Sequence, residues 1–196
     1  MTKKRSDLSI VMAGEAGQGV QLIETVLVKV LKKAGYNVFA TKEYMSRVRG
    51  GINSTQIRVS SKRVVSPTLR TDILVPLVKE AIPHIEGRVT EDTIILGEKE
   101  ILDDERVLDV PFTKIASDLG SPLFTSSVVI GLIFGILNLP TKMIGAQIKK
   151  QFYQKGDSVV KENSEAVSRG HGIGRQFSVQ GKPHLKAVQS DSVDTE

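Results

Sequence analysis

The sequence predicts an α/β fold: a three-layer sandwich in which a largely parallel central sheet is flanked by helices. Three observations predict it. The runs "LSIVMA" (8–13), "DILVPL" (72–77) and "TIIL" (93–96) are short and predominantly apolar, as expected of strands buried on both faces of a parallel sheet. Helix-period segments alternate with strand-like ones. A glycine-rich stretch joins the first strand to the first helix, a common corner of doubly wound sheets.

Taken in order, residues 8–13 form the first strand. Over 20–34, Ile23, Val26, Leu27, Val30, Leu31 and Ala34 recur at the spacing of one helix face, and Gly35 stops that helix. Residues 37–42 read as a second strand, and "STQIRVSS" (54–61) alternates as a third. Residues 72–77 and 93–96 supply further central strands, with 79–86 a short link interrupted at Pro83. After Pro111 the pattern turns helical. Residues 125–137 and 141–152 carry helical apolar spacing, with Asn138 as a stop and Pro140 in the next first turn. Gly131 and Gly135, one turn apart, let the first of these helices press closely on the sheet or on a neighbour. From Ser168 the chain has little periodicity and many polar and glycine residues. The expected organisation is one domain over 1–167 and a flexible tail or linker over 168–196.

Composition excludes several function classes. With 196 residues, 40% of them apolar, the chain can bury a core of its own. A net charge of +5 with scattered basic residues, no tryptophan, three tyrosines and six phenylalanines argues against nucleic acid as a partner. The chain has no cysteine, so it can form no disulfide, iron–sulfur cluster or thiolate zinc site; such a centre would sit on another polypeptide. The apolar run at 8–13 is too short for a signal peptide, which points to the cytoplasm. The most apolar stretch, 128–139, is about half the ~20 residues that span a bilayer, so no membrane association is expected. His84, His171 and His184 are separated from one another and lack nucleophilic or metal-ligating company, so no metal or catalytic residue is assigned.

Two loops carry the chemistry. In "VMAGEAGQGV" (11–20), Gly14, Glu15, Ala16, Gly17, Gln18 and Gly19 lie between strand and helix, where backbone amides and a helix N-terminus favour an anion. The spacing is G-x-x-G-x-G, neither the dinucleotide fingerprint nor a P-loop with its following Lys-Ser or Lys-Thr, which argues against an NTPase. A dinucleotide site remains open, because Glu43 follows the second strand near where a ribose-binding acid would sit. Glycines that merely turn the chain are the plain alternative. In "KEYMSRVRGGINS" (42–54), Arg47 and Arg49 precede Gly50 and Gly51, with Ser46 and Asn53 nearby. Guanidinium forks grip phosphate or carboxylate in two-point contacts, whereas a solvated turn would leave them idle. Both loops are expected to follow the carboxyl ends of neighbouring strands, and so to share one edge of the sheet.

"GEAGQGV", "AGY", "EYMSRVRGG" and "STQIRVS", in that order, closely resemble the gamma subunit or gamma domain of 2-oxoacid:ferredoxin oxidoreductases, and the likeness extends through "DILVPL" to "NSEAVSRG". The Y-x-S-R-x-R-G-G form looks more like the gamma domain fused ahead of an alpha domain in 2-oxoglutarate-type enzymes than the pyruvate-type loop. The resemblance implies a part that helps hold coenzyme A and packs on alpha and beta partners in a homo- or hetero-oligomer. It implies that thiamine diphosphate, Mg and iron–sulfur clusters lie on those partners, with ferredoxin reached only indirectly. The chain would then support oxidative decarboxylation without catalysing it alone. The coenzyme A site implied is the glycine loop with Ser46, Arg47, Arg49, Gly50 and Gly51. The helices after 125 are the expected apolar contact surface. The family often has a basic, asparagine-rich start to the helix near Val128; here "PLFTSSV" stands, so contacts at that point are not carried over. A stand-alone nucleotide-binding oxidoreductase using Glu43 and a purely structural assembly subunit are the alternatives.

Overall fold

The computed structural model describes residues 7–44 and 51–179. Its centre is a six-stranded sheet in the order β2-β3-β1-β4-β5-β6. The strands are β1 (Asp7–Gly14), β2 (Asn37–Glu43), β3 (Asn53–Ser60), β4 (Ile73–Pro76), β5 (Ile94–Gly97) and β6 (Val107–Asp109). β1 pairs in parallel with β4, Ile10 opposite Ile73 and Ala13 opposite Pro76, and parallel pairing continues through β5 to β6. β3 is the one reversed strand, antiparallel to both β1 and β2. Only nine residues, 44–52, separate β2 from β3, fewer than a parallel crossover needs, and strands joined over so short a span pair antiparallel. The expected α/β sandwich with a largely parallel sheet is therefore present. One expectation is corrected: β1 and β2 are not neighbours, because β3 lies between them.

The two sheet faces are covered unequally. Leu8, Ile10 and Met12 of β1 point into the larger core, shared with α1 (Val20–Lys33), α5 (Thr125–Ile136), α6 (Thr141–Phe152) and α7 (Asp157–Val179). Val11 and Ala13 point the other way, into a smaller core under α2 (Ala81–Ile85) and α3 (Lys99–Leu102). The period-2 alternation of β1 thus feeds two layers, each built from apolar residues. Gly35 ends α1 as the sequence predicts: at φ 84° it donates to Lys32 O, and Tyr36 N donates to Leu31 O. Asn138 ends α5 at φ 58° in the same left-handed conformation.

α5 is buried along almost its whole length, and the element that covers it is α7. The two run in the same direction, with Ser127 Oγ donating to Asn163 Oδ1 at 2.6 Å near their starts and His171 Nε2 donating to Leu139 O at 2.8 Å beyond the end of α5. Their contact is backbone on backbone. A Cβ at Gly131 would stand 2.0 Å from Val167 O, one at Gly170 2.0 Å from Val128 O, and one at Gly174 2.2 Å from Leu132 O.

This corrects two expectations. Residues 168–179 are not a tail but the second half of α7, where Gly170 and Gly174 supply a flat face; 180–196 lie outside the described residues. The helix-propensity loss of about 1 kcal/mol per glycine is offset by close packing on a buried partner. α5 is also unavailable as an apolar surface for other chains, since α7 of its own chain occupies it. Gly131 and Gly135 do press onto a neighbour as predicted, and that neighbour is α7. β6 and α3, for which the sequence reading provides no element, extend the sheet and its smaller core, while α4 (Phe112–Asp118), in the stretch read as helical without bounds, adds Phe112 and Ala116 to the larger core. Among the described residues no helix is long and apolar enough to cross a membrane.

Candidate anion-binding site

β1 ends at Gly14, still paired with Asn53, and a Cβ there would stand 2.5 Å from Gln18 Oε1. Gln18 folds back across the turn: its Oε1 accepts from Glu15 N at 2.7 Å while its own amide donates to Glu15 O at 3.3 Å. The loop therefore holds its shape internally, with Gln18 as the brace. Gly17 (φ 95°) and Gly19 (φ 83°) adopt left-handed conformations that strain any residue with a Cβ. Gly19 has a second reason to be glycine, since a Cβ would lie 1.9 Å from Ser126 Oγ at the start of α5. Gly17 instead opens onto space, with nothing within 4 Å of where a Cβ would be.

Gly19 is also the N-cap of α1, and no side chain caps that end. The first-turn amides of a 14-residue helix thus stay open, with the positive end of its dipole behind them. They border a groove of about 930 Å³. One wall is Glu15, Ala16, Gly17 and Gly19; the other is Tyr44, Gly51, Asn53, Ser54 and Thr55. Gln21 Nε2 donates to Tyr44 Oη at 3.2 Å, tying the end of β2 to the first turn of α1. Of the residues singled out from sequence, Glu15, Ala16, Gly17, Gly19, Gly51 and Asn53 meet at this groove, whereas Gly14 and Gln18 do not line it. Ser46, Arg47, Arg49 and Gly50 lie outside the described residues, but Tyr44 and Gly51 on either side of that stretch both line the groove. Among the described residues its only charged wall is Glu15.

Glu43 has other employment. Its Oε2 accepts from Ser54 Oγ at 2.9 Å and its Oε1 pairs with the Arg88 guanidinium. Burial pushes the carboxyl up, but the hydrogen bonds from Arg88 and Ser54 and the nearby positive charge outweigh it and hold the group below its ordinary value. β3 separates β2 from β1, so Glu43 ends a strand roughly 10 Å from the glycine-bearing strand, at about 4.8 Å per step. A ribose-binding acid belongs on the strand adjacent to that carrying the glycines. The dinucleotide arrangement is therefore not formed.

A second cavity of about 220 Å³ opens on the other side of the glycine loop, with Gly17 and Gln18 in its wall. It lies between the carboxyl ends of β1 and β4, where successive connections leave the sheet in opposite directions. Pro76, Leu77, Ile101, Phe112 and Leu123 make it largely apolar. Glu98 is its charged member, and Glu98 Oε1 accepts from Thr113 N at 2.7 Å and Thr113 Oγ1 at 2.6 Å, at the start of α4. The sequence reading misses this cavity, whose walls come from five separated segments, and it misses Gln21, Ser54 and Thr55, which look like ordinary helix and strand residues. Among the described residues no group of three His, Asp or Glu side chains could hold a metal ion.

Residues 9–173 match the family model described as pyruvate ferredoxin/flavodoxin oxidoreductase. A 2-oxoglutarate synthase subunit, KorC, from Archaeoglobus fulgidus is 29% identical over 174 residues, covering 88% of this chain and 90% of that one. The 2-oxoglutarate:ferredoxin oxidoreductase of Magnetococcus marinus, solved with 2-oxoglutarate, coenzyme A and succinyl-CoA bound, shares the fold at TM-score 0.82 and 21% identity. That match covers 95% of this chain, which spans only about a third (34%) of the Magnetococcus chain. Pyruvate oxidoreductase subunit PORC from Thermotoga maritima shares it at TM-score 0.69 and 22% identity, covering 86% and 97% of the two chains.

Proposed function

Because the chain belongs to the pyruvate ferredoxin/flavodoxin oxidoreductase family, as a gamma-type part of a 2-oxoacid:ferredoxin oxidoreductase, we propose that it holds coenzyme A for a complex whose redox centres lie on other parts. The reaction supported is oxidative decarboxylation of a 2-oxoacid to an acyl-CoA with reduction of ferredoxin. Alpha and beta parts carry thiamine diphosphate with Mg, and the iron–sulfur clusters, for which this cysteine-free chain has no ligands. The complex works in the cytoplasm. Coenzyme A is bound in the Magnetococcus structure, whose fold this chain shares.

The observation that carries the assignment to the groove is the uncapped start of α1 facing a cleft whose opposite wall flanks the arginine stretch. Coenzyme A brings a pyrophosphate and a third phosphate. Open amides and a helix dipole suit one anionic group, and Arg47 and Arg49 supply the positive charge that the described walls lack.

The test is made on the assembled enzyme. Arg47→Ala and Arg49→Ala should each weaken coenzyme A about tenfold for every lost contact of ~1.4 kcal/mol, leaving the KM for the 2-oxoacid nearly unchanged. Substitutions that weaken the 2-oxoacid and spare coenzyme A would make this loop a carboxylate clamp and overturn the reading.

A further inference from the structure

The apolar cavity beside the glycine loop has no part in the groove's anion chemistry. Its size and charge say what it can take. At about 220 Å³ it is smaller than the ~300–1,000 Å³ of sites that enclose a whole small ligand, yet many times the volume of a water. It suits one segment of a longer molecule. No cation lines it among the described residues, and Glu98 adds a negative wall, so a phosphate is repelled there. Its hydroxyl protons are already turned inward: Thr125 Oγ1 donates to Pro122 O at 2.7 Å and Ser126 Oγ reaches Gln18 O at 3.5 Å. Leu123 is 82% exposed and Ile101 48% exposed at its rim, leaving apolar surface for an occupant to cover.

The cavity and the groove share one residue, Gly17, the loop position with nothing within 4 Å of a Cβ. We propose that the cavity is the second compartment of the same binding site and takes the neutral pantetheine arm of the ligand whose phosphates sit in the groove. The inference rests on the coenzyme A reading above. In that molecule the branched dimethyl segment of the arm directly follows the pyrophosphate, so an apolar recess one residue away from an anion cradle meets it in sequence. Gly17 is the saddle over which the chain passes, and any side chain there would stand between the compartments.

The experiment separates the arm from the head. On the assembled enzyme, binding of coenzyme A is compared with that of 3′-phospho-ADP, which keeps the phosphates and lacks the arm. Leu123→Ser and Ile101→Ser remove exposed apolar surface without opening the core. Each should weaken coenzyme A by about five- to tenfold, as expected for losing part of a side chain's burial, and leave 3′-phospho-ADP within about twofold. Equal weakening of both probes, or of neither, overturns the compartment while leaving the groove assignment intact. Loss of complex assembly in these variants also overturns it, since the rim would then belong to a subunit contact. Failure of 3′-phospho-ADP to bind the unaltered enzyme, together with no effect of the Arg47 and Arg49 substitutions on coenzyme A, removes the underlying reading itself.

Discussion

The glycines of the β1–α1 loop and those of the α5–α7 seam are the same residue put to opposite uses. In the loop, Gly17 and Gly19 adopt left-handed backbone, and Gly17 faces open space. In the seam, Gly131, Gly135, Gly170 and Gly174 have ordinary helical backbone, and each is needed because another main chain lies where its side chain would be. The first set borders an open groove; the second closes the chain on itself. Glycine in a sequence reports that a side chain is missing without reporting whether conformation, packing or a ligand requires it.

The largest effect should come from the seam. Gly131→Ala places a methyl 2.0 Å from Val167 O, backbone of a helix that cannot yield locally. Despite a helix-propensity gain of about 1 kcal/mol, a net loss of roughly 2–3 kcal/mol is expected in urea unfolding. A neutral or stabilising result would mean that the helices stand further apart than described.

Gly17→Ala should behave in the reverse manner. The left-handed conformation costs an alanine roughly 1–2 kcal/mol, a modest change in stability. Coenzyme A affinity of the assembled enzyme should fall further, by about tenfold or more, because the methyl projects into the open space by which the proposed path joins groove and cavity. If unfolding shifts and binding does not, this glycine only turns the chain, and the contrast between the two sets collapses.

The smallest effect sharpens the rule. Gly145 of α6 is a helical glycine with nothing within 4 Å of a Cβ, so Gly145→Ala should stabilise by about 0.5–1 kcal/mol through backbone entropy alone. A thermal melt of this variant beside Gly131→Ala separates helical propensity from seam packing.

The same ambiguity explains what sequence can and cannot say here. β1 and α1 are legible because apolar spacing and flanking glycines agree on type and boundary. β3 is recognised as a strand, but its reversed direction is not, because alternation carries no sense of direction. α3 and β6 have four and three residues, barely more than one period of the patterns that would reveal them. The second half of α7 reads as a tail because its glycines look like breaks, and their purpose appears only when α5 is laid against them. At the site, the glycine loop is visible from sequence as a corner for an anion. Gln18, singled out there as a binding residue, proves to brace the turn through its side-chain oxygen. The far wall, Tyr44, Gly51, Asn53, Ser54 and Thr55, joins the site through the pairing of β3 with β1, a long-range contact that no local spacing encodes.

The order of α5 and α7 along the chain also sets a schedule for biogenesis. α5 is apolar nearly all round, and its cover is among the last of the described segments to be synthesised. Between Gly135 and Arg175 the ribosome adds about forty residues, which at ~5–20 per second takes roughly 2–8 s. For that interval the nascent chain carries a greasy helix with no lid. Crowded polysomes translating this message would present many such helices together, and each stays open to intermolecular contact until α7 arrives.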